Sequence, residues 1–255
     1  MWEVRERRGT VGEYDASTYG EHIAEVYDDW YVGLELDVVV ERLAELAGPG
    51  PVLELGIGTG RVALPLQERG IEVHGIDASP AMVARLRAKP GGDRLAVTIA
   101  DFADVGVVGE FSLIFIMFNT IFALTSQQDQ LRCFGNAAAK LAQGGTFVFD
   151  AFVPDLGRFD RGQRLALEAI ESDGLRVEAS RHDPVHQRVV TRHVLVSEQG
   201  IRFYPLVTRY AWPSELDLMG RLAGLRLRER WGGWRREPFT AASTSHVSVY
   251  ERAAD

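Results

Sequence analysis

The chain of 255 residues has one cysteine, two lysines and no long apolar run. A single cysteine, Cys133, excludes an internal disulfide and any cysteine-based zinc cluster. It falls in Leu131-Arg132-Cys133-Phe134, inside helical spacing, and reads as a buried thiol. No apolar stretch approaches the ~18 residues of a membrane span, so no membrane partner is expected. The start, Met1-Trp2-Glu3-Val4-Arg5-Glu6-Arg7-Arg8, lacks the apolar core of an export signal and points to a cytoplasmic protein. Positive charge is also short. With 28 Lys and Arg against 36 Asp and Glu the formal net charge is -8, which opposes nucleic acid as a partner and favours a small molecule. His182, His186 and His193 are irregularly spaced, with no carboxylates at metal-ligand spacing, so no metal site is expected.

What the chain does have is glycine in one telling place. In Val52-Leu53-Glu54-Leu55-Gly56-Ile57-Gly58-Thr59-Gly60 three alternate glycines follow a strand-like apolar run and precede a helix. Glycine tolerates positive φ and carries no Cβ, so the N–H groups of Gly56, Gly58 and Gly60 are expected to approach a nucleotide closely. A dinucleotide G-x-G-x-x-G would need its third glycine where Arg61 stands. Strand 71–76 then ends at Asp77, placed to accept hydrogen bonds from two ribose hydroxyls, and Pro80 sits in the first turn of the next helix. After strand 95–99 come Asp101 and Phe102, an acid beside an aromatic, suited to bonding and covering an adenine edge.

Around these pieces strands at 52–56, 71–76, 95–99, 111–117 and 145–151 alternate with helices at 60–69, 80–88 and 127–142. Such alternation predicts a parallel sheet covered by helices on both faces. Helical spacing also runs through 19–31 and 37–47, broken by Gly48-Pro49-Gly50-Pro51, and the residues before Thr18 read as a loose arm. Beyond Pro154 the pattern becomes extended and alternating over 165–170, 175–181, 188–197 and 201–210, an antiparallel insertion. A helix at 214–223 and strands at 225–231 and 245–251 close the chain.

The glycine turn, Asp77 and Asp101, in this order and spacing, resemble class I S-adenosylmethionine-dependent methyltransferases over nearly the whole chain from Tyr19 onward. The resemblance implies an α/β fold, a Rossmann-like doubly wound seven-stranded sheet whose last strand is antiparallel, with an antiparallel β insertion. It divides the chain into an N-terminal arm and helical cap (1–50), a cofactor-binding domain (51–154 and 211–255) and an insertion (155–210) that caps the substrate or makes a dimer contact. The implied cofactor is S-adenosyl-L-methionine, leaving as S-adenosyl-L-homocysteine. Its methionine and ribose portion would be cradled by the loop bearing Glu54, Gly56, Gly58 and Gly60, its ribose hydroxyls held by Asp77 and its adenine amino group read by Asp101. Tyr19, Ala78, Met82, Phe102 and Met117 are expected as further cofactor contacts.

Ligands of open α/β sheets bind beyond the carboxyl ends of the strands, which singles out the segments after Met117 and after Phe149. Asn119 and Thr120 stand where they can orient an acceptor, or cap a turn. Asp150, at the end of an apolar strand, is a candidate general base through partial burial, or a backbone-bonding turn residue; for a hydroxyl or carbon acceptor a histidine of the insertion is the other candidate base. Tyr27 and Tyr31, four residues apart, share a helical face; Tyr27 reads as core. Amino-sugar N-methyltransferases carry tyrosines at similar positions, so Tyr19 and Tyr31 are expected to touch cofactor or acceptor. Those enzymes also carry a histidine where this chain has Ala123, which counts against sugar N-methylation. Tyr204, Trp212, Trp231 and Trp234 read as core or lid. The acceptor is expected to be a small molecule of secondary or intermediary metabolism, methylated at oxygen, nitrogen or carbon. Two rivals stand beside this reading: an NAD(P)-dependent oxidoreductase, and a non-methylating S-adenosylmethionine-binding protein of the same fold. The insertion's strands are available to pair across a homodimer.

Overall fold

The computed structural model describes residues 14–32, 35–172 and 174–253. Most of the expected N-terminal arm lies outside these residues. The described elements begin with helices α1 (Thr18–Ile23), α2 (Tyr27–Trp30) and α3 (Leu36–Ala47). The helical spacing of 19–31 is therefore realised as two short pieces. The second starts at Tyr27 and ends at Tyr31, where φ -113 and ψ 36 leave the helical region.

Next come β1 (Val52–Leu55), α4 (Ala63–Glu68), β2 (Val73–Asp77), α5 (Pro80–Arg87), β3 (Ala96–Ile99), β4 (Phe111–Ile116), α6 (Gln127–Lys140) and β5 (Leu141–Phe152). Helix starts follow their chemistry. Ser79 caps α5 by accepting from the Met82 amide with Pro80 behind it, and Ser126 caps α6 by accepting from the Asp129 amide. The insertion is β6 (Gln163–Glu171), β7 (Gly174–Asp183), β8 (Arg188–Ser197) and β9 (Gly200–Arg209), followed by α7 (Pro213–Leu222), β10 (Leu225–Trp231) and β11 (Ser245–Arg252).

Seven strands form one sheet in the order β10-β11-β5-β4-β1-β2-β3. The pairs from β3 to β5 are parallel, and β11 runs antiparallel to both β5 and β10. Alternation in β4 divides the core. Ile114 and Ile116 face one cluster with Phe134 and Leu216 of α6 and α7, while Leu113 and Phe115 face another with Leu43 and Leu66 of α3 and α4. Burial on both faces explains why these strands are continuously apolar. The order reverses between β1 and β4, and the crevice above their carboxyl ends is where such sheets take ligands. The insertion makes a separate antiparallel sheet, β6-β7-β8-β9. One of its faces packs on the N-terminal helices through Tyr204 and Leu195 against Ile23 and Trp30. Cap and insertion thus roof the crevice together.

Candidate active site

The turn after β1 places Gly56, Gly58 and Gly60 at φ +80, +53 and +75, a region L side chains avoid. A Cβ on Gly56 would meet Thr120 Cγ2 at 2.7 Å, and one on Gly60 would meet Leu86 Cγ at 2.9 Å. The glycine N–H groups, expected to face a ligand, are instead taken up within the protein. Gly56 donates to the Ile76 carbonyl (2.8 Å), Gly58 to Asp77 Oδ2 (2.8 Å) and Gly60 to the Ile57 carbonyl (2.9 Å). What the glycines give is backbone shape and missing side chains, not an anion nest. That suits a ligand without phosphate.

Glu54 is 3% exposed, and its Oε2 has no hydrogen-bond partner. Burial, with the nearby Asp77 carboxylate adding to it, drives the Glu54 carboxyl well above its ordinary range. Asp77 is raised as well, chiefly by burial and against the amides of Ser79 and Gly58 that bond it. Asp101 closes a turn by accepting from the Ala103 amide (2.9 Å), beside the buried Phe102, whose ring edge lies next to Gly56. Ala78 is half-buried in the turn after β2, Met82 is buried with its terminal methyl over Gly58, and Met117 is buried below β4's end. An orphaned buried carboxylate oxygen, three side-chain-free positions and two further acids at successive strand ends fit a ligand with an ammonium group, ribose hydroxyls and an adenine. The residues present therefore suit S-adenosylmethionine.

Beside this turn lies a cavity of about 540 Å³ bounded by Tyr19, Tyr27, Tyr31, Arg61, Phe118, Asn119, Asp150, Phe152 and Trp234, with His193, Leu206 and Thr208 from the insertion and His246 from β11. Tyr19 and Tyr31 share a hydrogen bond between their hydroxyls (3.1 Å). Burial raises the phenols of Tyr19 and Tyr27, so both stay neutral. Tyr27, read from sequence as core, lines the same wall, its ring 5.0 Å from that of Tyr31. Arg61 donates to the Tyr31 carbonyl (2.8 Å), and its guanidinium lies 4.7 Å from the Tyr27 ring centre and 5.6 Å from that of Phe118.

Phe118 and Asn119 both take left-handed backbone conformations, at φ 58 and 63. Two consecutive non-glycine residues in that region store strain, which persists at sites the surroundings over-determine. The strained pair is held by β5: Asn119 Oδ1 accepts from the Phe152 amide (2.6 Å), and the Asn119 amide donates to Asp150 Oδ1 (3.4 Å). Trp234 Nε1 donates to Asp150 Oδ2 (3.2 Å). Burial dominates these bonds and pushes the Asp150 carboxyl up to about 6. Asn119 thus orders the turn and stands at the cavity. His246 is fully buried, its Nδ1 2.8 Å from Ser248 Oγ; burial and the Arg230 cation bring it down to about 4, so it is neutral near pH 7.

The cap is fastened to the nucleotide turns by two acids. Glu21 accepts from Ser79 Oγ (2.7 Å) and the Ala81 amide (3.0 Å). Asp28 accepts from Thr59 Oγ1 (2.7 Å) and pairs with Lys89 (2.7 Å), which donates to the Thr59 carbonyl (2.9 Å). Sequence reasoning brought together Tyr19, Tyr31, Asn119 and Asp150. It did not place Arg61, His246, Leu206 or Thr208 in the cavity, and it gave Trp234 only as core or lid. Of the unplaced four, Arg61 carried a signal, as the residue standing where a dinucleotide motif would have its third glycine. Among the described residues no three His, Cys, Asp or Glu side chains gather as a metal site, and no helix is long and apolar enough to cross a membrane.

A family model described as a methyltransferase domain matches residues 52–145, the span from β1 into β5. The structure of the CcbJ methyltransferase from Streptomyces caelestis is similar with a TM-score of 0.89 and 41% identity, covering 94% of this chain and 100% of that one. The cypemycin N-terminal methyltransferase of a Streptomyces species is 26% identical over 93% of this chain and 99% of its own length. S-adenosylmethionine-bound CalS10, an amino pentose methyltransferase from Micromonospora echinaspora, shares the fold with a TM-score of 0.67 and 20% identity, over 91% of this chain and 97% of its own.

Proposed function

The chain belongs to the class I S-adenosylmethionine-dependent methyltransferases, and we propose that its acceptor is a small molecule, that the methylated atom is an amine nitrogen and that Asp150 receives its proton. The observation carrying this reading is a buried carboxylate, held by Trp234 and Asn119 and raised to about 6, in a cavity whose other walls include six aromatic rings, the Arg61 cation already engaged with the Tyr31 carbonyl, and His246. A cationic amine gains from such rings on the order of 1 kcal/mol each when water is excluded, and from the Asp150 carboxylate a counter-charge. The 26% identical relative, named as a cypemycin N-terminal methyltransferase, supports nitrogen over oxygen or carbon.

When bound, S-adenosylmethionine supplies a methyl group made electrophilic by its sulfonium centre. The residues proposed to hold it are Tyr19, Glu54, Gly56, Gly58, Gly60, Asp77, Ala78, Met82, Asp101, Phe102 and Met117. Tyr31, bonded to Tyr19, and Asn119, bonded to β5, fix the rim across which acceptor and cofactor meet. Phe118 and Trp234 exclude water. Alignment of this kind is worth about 7 kcal/mol or more of barrier, so the protein's own chemistry reduces to orientation and one proton acceptor. Asp150 takes the ammonium proton before attack, leaving the nitrogen lone pair free.

In this reading residues 51–154 and 211–255 form the cofactor domain, 1–50 the cap, and 155–210 the acceptor cover and the face of a homodimer. The setting is secondary metabolism in the cytoplasm. Calorimetry with S-adenosylmethionine, S-adenosylhomocysteine and NAD, followed by transfer of labelled methyl to a panel of small cyclic amines and the matching alcohols, tests it. Saturable binding of the first two alone, with label on amines, is expected. Label on the alcohols only, or binding of NAD in preference, would overturn it.

A further inference from the structure

The insertion brings one histidine to the cavity that the proposed proton transfer leaves unused. His193, on β8, is 9% exposed. It stands in the partition between the 540 Å³ cavity and a side pocket of about 120 Å³, with Phe152, Leu206 and Thr208 around it on the shared wall. Its Nδ1 is 3.0 Å from both carboxylate oxygens of Glu168, and its Nε2 is buried with no hydrogen-bond partner. Native proteins leave few buried polar atoms unsatisfied, and each calls for an account.

The Glu168 contact is built by the sheet. The register of β6 against β7 slips between Leu167 and Ala169, a bulge centred on Glu168, and bulges re-aim side chains. Arg176 of β7 then pairs with Glu168 (3.2 Å), while its guanidinium lies 4.3 Å from the ring centre of Trp30 in the cap. A carboxylate in such a pair only accepts hydrogen bonds. The proton of a neutral His193 ring therefore sits on Nδ1, and Nε2 carries a lone pair. His246, whose Nε2 is also unpartnered at the cavity, lacks this determination, because the Ser248 hydroxyl on its Nδ1 can give or take a hydrogen.

We propose that His193 Nε2, with Glu168 as its positioning residue, is a recognition site for a hydrogen-bond donor on the methyl acceptor, so that the acceptor class is an amine bearing a hydroxyl or second N–H group. This deepens the amine reading and rests on it. A site built around a buried polar atom rejects analogues that leave that atom unpaired far more strongly than an apolar pocket rejects a change of size.

The test uses the full chain loaded with S-adenosylhomocysteine. Imidazole ¹⁵N resonances are expected to report His193 with its proton on Nδ1 and a bare Nε2, and Glu168→Gln to disturb that assignment. Titration with trans-4-aminocyclohexanol and its size-matched trans-4-fluorocyclohexylamine is expected to favour the hydroxyl compound by about ten-fold or more and to move the Nε2 resonance only with it. His193→Phe should erase the preference. His193→Gln, whose carbonyl can accept in the same place, should retain part of it, which a purely structural histidine would not predict. A proton found on Nε2, or equal binding of the two probes by the unmodified chain, overturns the proposal alone. Failure of both amines to bind overturns the amine reading, and this proposal with it.

Discussion

Asp150 is where reactivity and stability pull apart. Its carboxyl stands at about 6, against about 3.9 for an ordinary aspartate. Because the folded-state value is the higher, the folded chain binds this proton more tightly than the unfolded chain. The stabilising contribution is full below the unfolded value and is lost as pH rises through about 6. Above that, the buried charge disfavours folding by on the order of 3 kcal/mol. Asp150→Asn keeps the shape and removes the charge. Thermal unfolding of the variant should come several degrees higher than that of the parent at about pH 8 and little changed at about pH 4. Methyl transfer should fall by about 100-fold or more and lose its rise through about pH 6. A variant less stable at the higher pH would mean that the carboxylate is there to hold Trp234 and Asn119, not to accept a proton.

At the scale of elements, the turn after β1 and the turn after α4 offer a matched comparison. Gly56 and Gly70 have nearly equal φ, +80 and +82, but a Cβ on Gly56 runs into Thr120 while one on Gly70 meets nothing within 4 Å. Gly70→Ala should cost about 1 kcal/mol of stability and leave calorimetric binding of S-adenosylhomocysteine unchanged. Gly56→Ala carries the same backbone cost and must also displace the segment bearing Thr120, so binding should weaken by ten-fold or more, roughly. Turns of this kind are legible in sequence because their requirement is local: glycine is needed where φ is positive. Strands β1, β4 and β5 were equally legible from their apolar runs, and the insertion from its alternation. Three things were not. With 19–31 divided into α1 and α2, Tyr27 both packs against the cluster of Ile23 and Met82 and lines a cavity, and spacing alone carries no sign of the second. Likewise the glycine N–H groups are claimed by Ile76, Asp77 and Ile57, partners fixed by the path of β2 and the turn itself. His193, Leu206, Thr208, Trp234 and His246 meet Asp150 only through the docking of a second sheet and the return of β11, contacts between segments far apart in the chain.

For the whole molecule, the outer face of the insertion is the conspicuous exposure. Across its four strands one row reads Leu167, Val177, Val194, Phe203 and the next Ile170, Leu175, Val196, Ile201. Leu167, Ile170, Ile201 and Phe203 are each more than half exposed. An apolar sheet face of this kind is normally covered, and sheets cover one another face to face. In the homodimer proposed above, two such faces meet about a two-fold axis. Light scattering should report more than one chain per particle, and Phe203→Glu, which sets two carboxylates against each other, should yield single chains with an unaltered circular dichroism spectrum. A mass indifferent to Phe203→Glu would place the contact elsewhere.

The cap grips the nucleotide turns through Glu21 and Asp28 while Trp30 lies against Tyr204 and Arg176 of the insertion. With cofactor and acceptor placed as proposed above, one small body borders both, and neither is admitted by loosening it without the other's surroundings changing too. Thermodynamic linkage makes any coupling between the two affinities reciprocal: whatever factor the cofactor adds to acceptor binding, the acceptor returns to the cofactor.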